Sequence, residues 1–213
     1  MMPTFRANSR TLLALAPLTF ALAASGCSLA GSYRVADGAN ASRGYRSVAG
    51  DVRVGREATI KNAKTVAGKI DIDDRATTRS LSSVAGDITI GESVQVDGNV
   101  STVAGGIDIG RGTRVTGEVS TVAGEVELED CRVEGPVKIT KGSLKIRGAT
   151  VLPAGIVVRH AKVGDRPEDP ARVDIGPGAD VASITVEPNT PVELRLSSEA
   201  RVGKVTGATP TPY

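Results

Sequence analysis

One histidine and two cysteines are the scarcest reactive side chains in this 213-residue chain. His160 sits at the root of a stretch near 157–171 that also holds Asp165, Arg166, Glu168 and Asp169, stiffened by Pro167 and Pro170. An imidazole works as a general base only with a tuned pKa and an acceptor pocket beside it. Carboxylates and an arginine on one loop can instead hold a polar ligand, and loops on rigid scaffolds often carry binding. Asp71, Asp73 and Asp74 form a second group, with Asp108 and Glu127 further along. They invite a calcium reading, since calcium takes about six to eight oxygen ligands. Against it, the outward positions that share their place in the repeat read Arg53, Asp71, Thr89, Asp108, Glu127, Lys145, Asp174 and Arg195. Mixed signs of this kind belong to a solvated face. The chain has no Ser/His/Asp constellation, no zinc spacing and no phosphate loop. No catalytic residue, metal or cofactor is therefore expected, and the His160 stretch stands as the candidate binding loop, with a tolerated surface insertion as its plain alternative.

Cys27 has a different setting. Arg6 and Arg10 precede an apolar run from Leu12 to Leu22, interrupted by Thr19, and small residues Ala24-Ser25-Gly26 lead into the cysteine. Residues 1–26 read as an export signal, too short for a transmembrane helix, which needs ~20 apolar residues. The Ala24-Ser25-Gly26-Cys27 segment resembles the bacterial lipobox. That resemblance implies cleavage before Cys27 and acylation of it, with membrane attachment through the lipid. Each buried methylene contributes about 0.8 kcal/mol, so one acyl chain holds marginally and two or more hold firmly. Ser28 stands where lipoproteins of this kind carry Asp when retained in the inner membrane. The resemblance thus implies an outer-membrane address, on the periplasmic face or the cell surface.

Charge narrows the partners. Removing Arg6 and Arg10 from 26 Lys and Arg leaves 24 against 24 Asp and Glu, with no basic run along the chain. Nucleic acid is not an expected partner. Cys131 would be the one cysteine left besides Cys27, so it has no internal disulfide partner and is expected to point inward. Aromatic residues make up 2% of the chain and Trp is absent, so any core is filled by Val, Ile, Leu and Ala.

The elements that must position these residues announce themselves as a repeat. Val-Ala-Gly begins at Val48, Val66, Val84, Val103 and Val122, at steps of 18, 18, 19 and 19 residues. After each triplet two apolar residues flank a more polar one, as in Ile70-Asp71-Ile72 and Ile107-Asp108-Ile109. So short a period with alternation inside it predicts an all-β fold, a single-stranded parallel β-helix built as a triangular solenoid. Four apolar columns extend over about eight turns of 18–19 residues: Val52 to Leu194, Val54 to Leu196, Ile60 to Val202 through Val151, and Ala63 to Val205. Glycines recur at one corner (Gly50, Gly68, Gly86, Gly105, Gly124, Gly142) and at another (Gly55, Gly91, Gly110, Gly176), where sharp turns or positive φ favour them. The expected organisation is a lipidated flexible tether over 27–45, the solenoid over 46–207 with its insertion near 157–171, and a Pro-rich tail over 208–213. Turns of 19 break a sixfold period, and parallel crossovers are overwhelmingly right-handed, so a right-handed coil is favoured.

Thr113-Arg114-Val115-Thr116-Gly117-Glu118-Val119 and Cys131-Arg132-Val133-Glu134-Gly135-Pro136-Val137 resemble rungs of bactofilins, β-helix proteins that polymerise. Val48-Ala49-Gly50-Asp51-Val52-Arg53-Val54 is similar to the glycine-valine repeats of β-helix adhesins. These resemblances imply a structural or adhesive role, with envelope polysaccharide, an envelope protein or a second copy as partner. The leading expectation is a non-enzymatic envelope lipoprotein. A self-polymerising scaffold is the second, and an enzyme on polysaccharide or an acyl donor is the third. For that third reading His160 would be the base, as in hexapeptide-repeat acyltransferases.

Overall fold

The computed structural model describes residues 27–28, 31–160 and 169–212. Among them there are 25 strands and no helix, and every recorded strand pairing is parallel. Each turn contributes three short strands, so the coil has three faces and about nine turns. The first face carries the triplets, on Tyr45–Ala49, Asn62–Ala67, Ser80–Ala85 and Val100–Ala104. The second carries Val52–Val54, Ile70–Ile72, Ile88–Ile90 and Ile107–Ile109, and the third the two-residue strands such as Gln95–Val96. Val119–Glu129 and Val137–Arg147 run unbroken from the first face onto the second.

Parallel pairing at constant register places like on like. On the second face Val52, Ile70, Ile88, Ile107, Val126, Leu144, Val173 and Leu194 stack in one column. Ile70, Ile88 and Ile107 are fully buried. A buried side chain of this kind contributes about 1.5–3 kcal/mol by leaving water, and β-branched residues fit the pleated surface. One column differs from its expected members. Arg132 pairs with Val151, so Leu152 and not Val151 takes the inward place above Val133. This turn is one residue longer than the spacing of valines implies, and buried Thr150 takes the inward place that Cys131 holds one turn earlier.

The coil also extends further at both ends than composition implies. The stretch 27–45, expected as a tether, supplies a first turn: Tyr33–Val35 pairs with Val52–Val54, and Asn40–Ala41 with Thr59–Ile60. The backbone of Cys27–Ser28 pairs with Arg46–Ser47. Val35 and Tyr45 are buried, and the Tyr33 and Tyr45 rings meet at 5.4 Å between centroids, so two of the few aromatics close this end of the core. At the other end Thr211–Pro212, in the expected tail, pairs with Arg195–Leu196. Residues 1–26, expected as an export signal, lie outside the described residues.

The triplet itself has a precise division of labour, read with the residue before it. Ser47, Thr65, Ser83, Thr102 and Thr121 point inward and are buried. The hydroxyls of Ser47, Thr65, Thr102 and Thr121 donate to the carbonyls of Gly31, Gly50, Gly86 and Gly105 in the preceding turn, at 3.0–3.5 Å. Glycine follows because of close approach rather than positive φ: a Cβ on Gly86 would lie 2.0 Å from the Gly68 carbonyl oxygen. Left-handed backbone sits at another corner instead, at Glu57, Arg75, Ser93 and Asp130, with φ of 57°, 57°, 56° and 44°. The motif's own valines point outward. Val48, Val66, Val84, Val103 and Val122 are each 44–47% exposed.

Inward and outward positions should therefore respond differently to truncation. Ile107→Ala is expected to cost about 2–5 kcal/mol through lost burial and an unfilled cavity, and Val103→Ala less than about 0.5 kcal/mol. Urea unfolding midpoints of the two variants against the parent measure the difference, and equal losses would overturn the side assignment.

Candidate functional site

His160 lies two residues beyond the strand Ile156–Val158, at the corner where earlier turns carry the triplet. Its backbone N–H donates to Glu187 Oε2 at 3.0 Å, and its Nδ1 is buried without a hydrogen-bond partner. Asp169 is exposed, just before the strand Ala171–Ile175, and no hydrogen bond joins it to His160. Asp165, Arg166 and Glu168 lie outside the described residues. The insertion thus interrupts the chain between the first and second faces, and the described part of it holds an imidazole with a latched backbone but no assembled acid–base pair.

The acidic groups do mainly mechanical work. Asp71 accepts from Arg53 Nε at 3.2 Å, and Asp74 Oδ1 accepts the Glu92 backbone N–H at 3.0 Å. Asp37, Asp51, Asp87, Asn99 and Asp130 do the same for the N–H of Arg56, Lys69, Gly106, Glu118 and Ala149 in the next turn, at 2.7–3.0 Å. These side chains satisfy corner donors that strand pairing leaves free. A groove of about 680 Å³ runs between Arg34, Arg53, Asp37, Asp71, Asp73 and Asp74. Among the described residues no group of three or more His, Cys, Asp or Glu side chains is placed to hold a metal. Asp108 is held above the ordinary carboxylate range by partial burial first, then by Glu127, Asp87 and Glu125 around it.

Bases are paired turn to turn over much of the coil. Lys69 meets Asp87 at 3.6 Å, Arg75 meets Glu57 at 2.7 Å, Arg111 meets Glu129 at 2.6 Å and Arg147 meets Glu127 at 2.6 Å. Lys138 pairs with Glu118 and Lys145 with Glu125. Exposed pairs like these stabilise the fold little, because water and salt screen them, but they neutralise the surface locally. Other exposed bases, Arg34, Arg159, Arg195, Arg201 and Lys204 among them, fall outside the pattern, and one further group of them is clustered. Arg43, Arg46, Lys61, Lys64 and Arg79 are exposed, lie on or at the edge of the first face, and have no ion pair among the described residues. Arg43 lies over the Tyr45 ring at 5.6 Å. Beside this basic group runs the outward valine ladder, with Ala49, Ala67, Ala85, Ala104 and Ala123 exposed along its edge.

Sequence reading missed this surface. The five bases are dispersed over 37 positions and form no run; the coil period of 18 residues brings them together. The usable signal was positional: Arg46 and Val48, or Lys64 and Val66, alternate with the buried Ser47 and Thr65, which assigns them to the outer side of one strand.

Cys131 points inward as its isolation implied. It is 3% exposed, in a column between Thr113 and Thr150, whose hydroxyl accepts the Cys131 backbone N–H at 3.4 Å. Burial pushes its thiol from the usual 9.0 up to about 12. Comparison with protein-family models, with curated proteins and with solved structures found no match for this chain.

The thiol sets a pH test. Because the folded pKa lies above the unfolded one, the neutral thiol's contribution is complete below about pH 9 and is lost as pH rises toward about 12. Native protein at pH 8 should resist alkylation by a maleimide and react fully in urea. Cys131→Ala should flatten the decline in unfolding midpoint between those two pH values, and rapid labelling of the native thiol would contradict the burial.

Proposed function

We propose that this chain is a non-enzymatic envelope lipoprotein, acylated at Cys27 and attached to the outer membrane, whose stiff β-solenoid acts as a structural or adhesive element toward envelope polymer or protein. One observation carries the reading. Many polar groups of the corners are spent on the neighbouring turn, as hydroxyl, carboxylate or ion-pair latches, while one face keeps an exposed valine ladder and bases without an ion pair among the described residues. Surfaces built this way hold a shape and present it. A pairing of Cys27–Ser28 with the turn above it supports attachment close to the body, without a long spacer. Replacing Cys27 with Ser should move the protein from the membrane to the soluble fraction of a fractionated cell. Unchanged retention in the membrane would refute the anchor.

Self-assembly is the second reading, favoured by the last turn. Leu196, Val202 and Val205 are only partly buried, whereas their counterparts Ile175, Val181 and Ile184 one turn earlier are completely so. An open coil end leaves strand edges that recruit others, although Pro212 there lacks a donor. Electron microscopy of purified unlipidated protein should then show end-to-end filaments, and a monomer at high concentration would discard this reading.

A further inference from the structure

We infer that the first face, over its N-terminal turns, is a contact surface for an anionic lipid bilayer. The inference deepens the anchored-lipoprotein reading and rests on it for the source of the membrane. Two independent features of the face converge. The first is the ladder Val48, Val66, Val84, Val103 and Val122, in register on five successive turns. At ~4.8 Å per turn it is a straight aliphatic stripe of about 19 Å. Side chains of this kind enter the boundary between headgroups and acyl chains.

The second feature is charge. Arg46 and Lys64 stand two residues before Val48 and Val66 on the same strands, and Arg43, Lys61 and Arg79 form a column at the strands' leading corner, where each lower carbonyl accepts from the next turn. Asp97 ends that column one turn later. Five exposed bases without an ion pair among the described residues, gathered over three turns of one face, give that face a positive charge that anions outside the chain can answer. Each Lys or Arg near an anionic leaflet strengthens attachment by about fivefold. The face also begins at the right place, since the backbone of Cys27 pairs with Arg46 at its lower edge. An acyl chain there would hold the bases and valines at high local concentration over headgroups.

A second copy fits less well. A two-fold contact through this face would set bases against bases, and like charges oppose association. The valine and alanine stripe offers on the order of a few hundred Å², against about 800 Å² per partner in a stable interface.

The test uses the processed chain from residue 27 with Cys27→Ser, which contains every described strand and no lipid. It should sediment with vesicles of phosphatidylethanolamine and phosphatidylglycerol, and at least tenfold more weakly with phosphatidylcholine vesicles. Replacing Arg46, Lys61, Lys64 and Arg79 with Gln should weaken binding to the anionic vesicles by more than tenfold, as should Val66→Ser, Val84→Ser and Val103→Ser together. All these positions are exposed, so unaltered β circular dichroism and melting temperature are expected and serve as the folding control. Equal binding by parent and variants, or none by the folded parent, overturns the proposal. A concentration-dependent dimer that the valine variants abolish, without vesicle binding, assigns the stripe to a second copy and also overturns it. Acylation is read separately, by membrane fractionation of the unaltered protein. Fractionation into the membrane with no vesicle binding removes only the face, whereas vesicle binding by a protein that is never acylated removes only the anchor.

Discussion

Backbone hydrogen bonds between successive turns, held in one register, impose the remaining constraints on this molecule. A strand of three residues cannot satisfy its own donors and acceptors, so each turn depends on those above and below it. The pairing distance then fixes which side chains meet. Ile88 can only sit on Ile70 and beneath Ile107, and any residue that fits one turn must fit against its own kind. The repeat in the sequence is the chemical consequence of that stacking.

The same constraint explains why so few side chains are available for chemistry. Corners leave N–H groups that strand pairing does not reach, and Asp74, Asp87 and Asp130 accept them. Inward hydroxyls such as Thr65 and Thr102 answer the glycine carbonyls. Acids that would look like ligands in a globular protein are therefore fasteners here. The left-handed corner at Glu57, Arg75 and Ser93 shows a further cost, with non-glycine residues in a conformation that disfavours side chains. Arg75 recovers some of it by bonding Glu57 in the turn below.

A column that is buried holds the coil together; a column that is exposed is multiplied into a surface. Five half-exposed valines in register make a continuous stripe that one isolated valine could never provide, and the bases beside it gain the same reinforcement. Function in such a protein is more naturally a property of a face than of a pocket. That logic is what the proposed contact role of the first face draws on.

What the sequence alone determined is whatever repeats locally: the parallel coil, its period, the four inward columns except for the slip at Leu152, and the inward thiol of Cys131. Alternation and period encode these directly. Only the tertiary structure decided that Gly31 to Gly44, so rich in small residues, forms a turn, because Val35 and Tyr33 gain their burial from the turn above. Likewise, only stacking could show that the triplet valines face solvent and that Arg43, Lys61 and Arg79 are neighbours. Residues 18 apart carry no mark of adjacency in a chain. Adjacency arises when the coil closes and brings them one strand spacing apart.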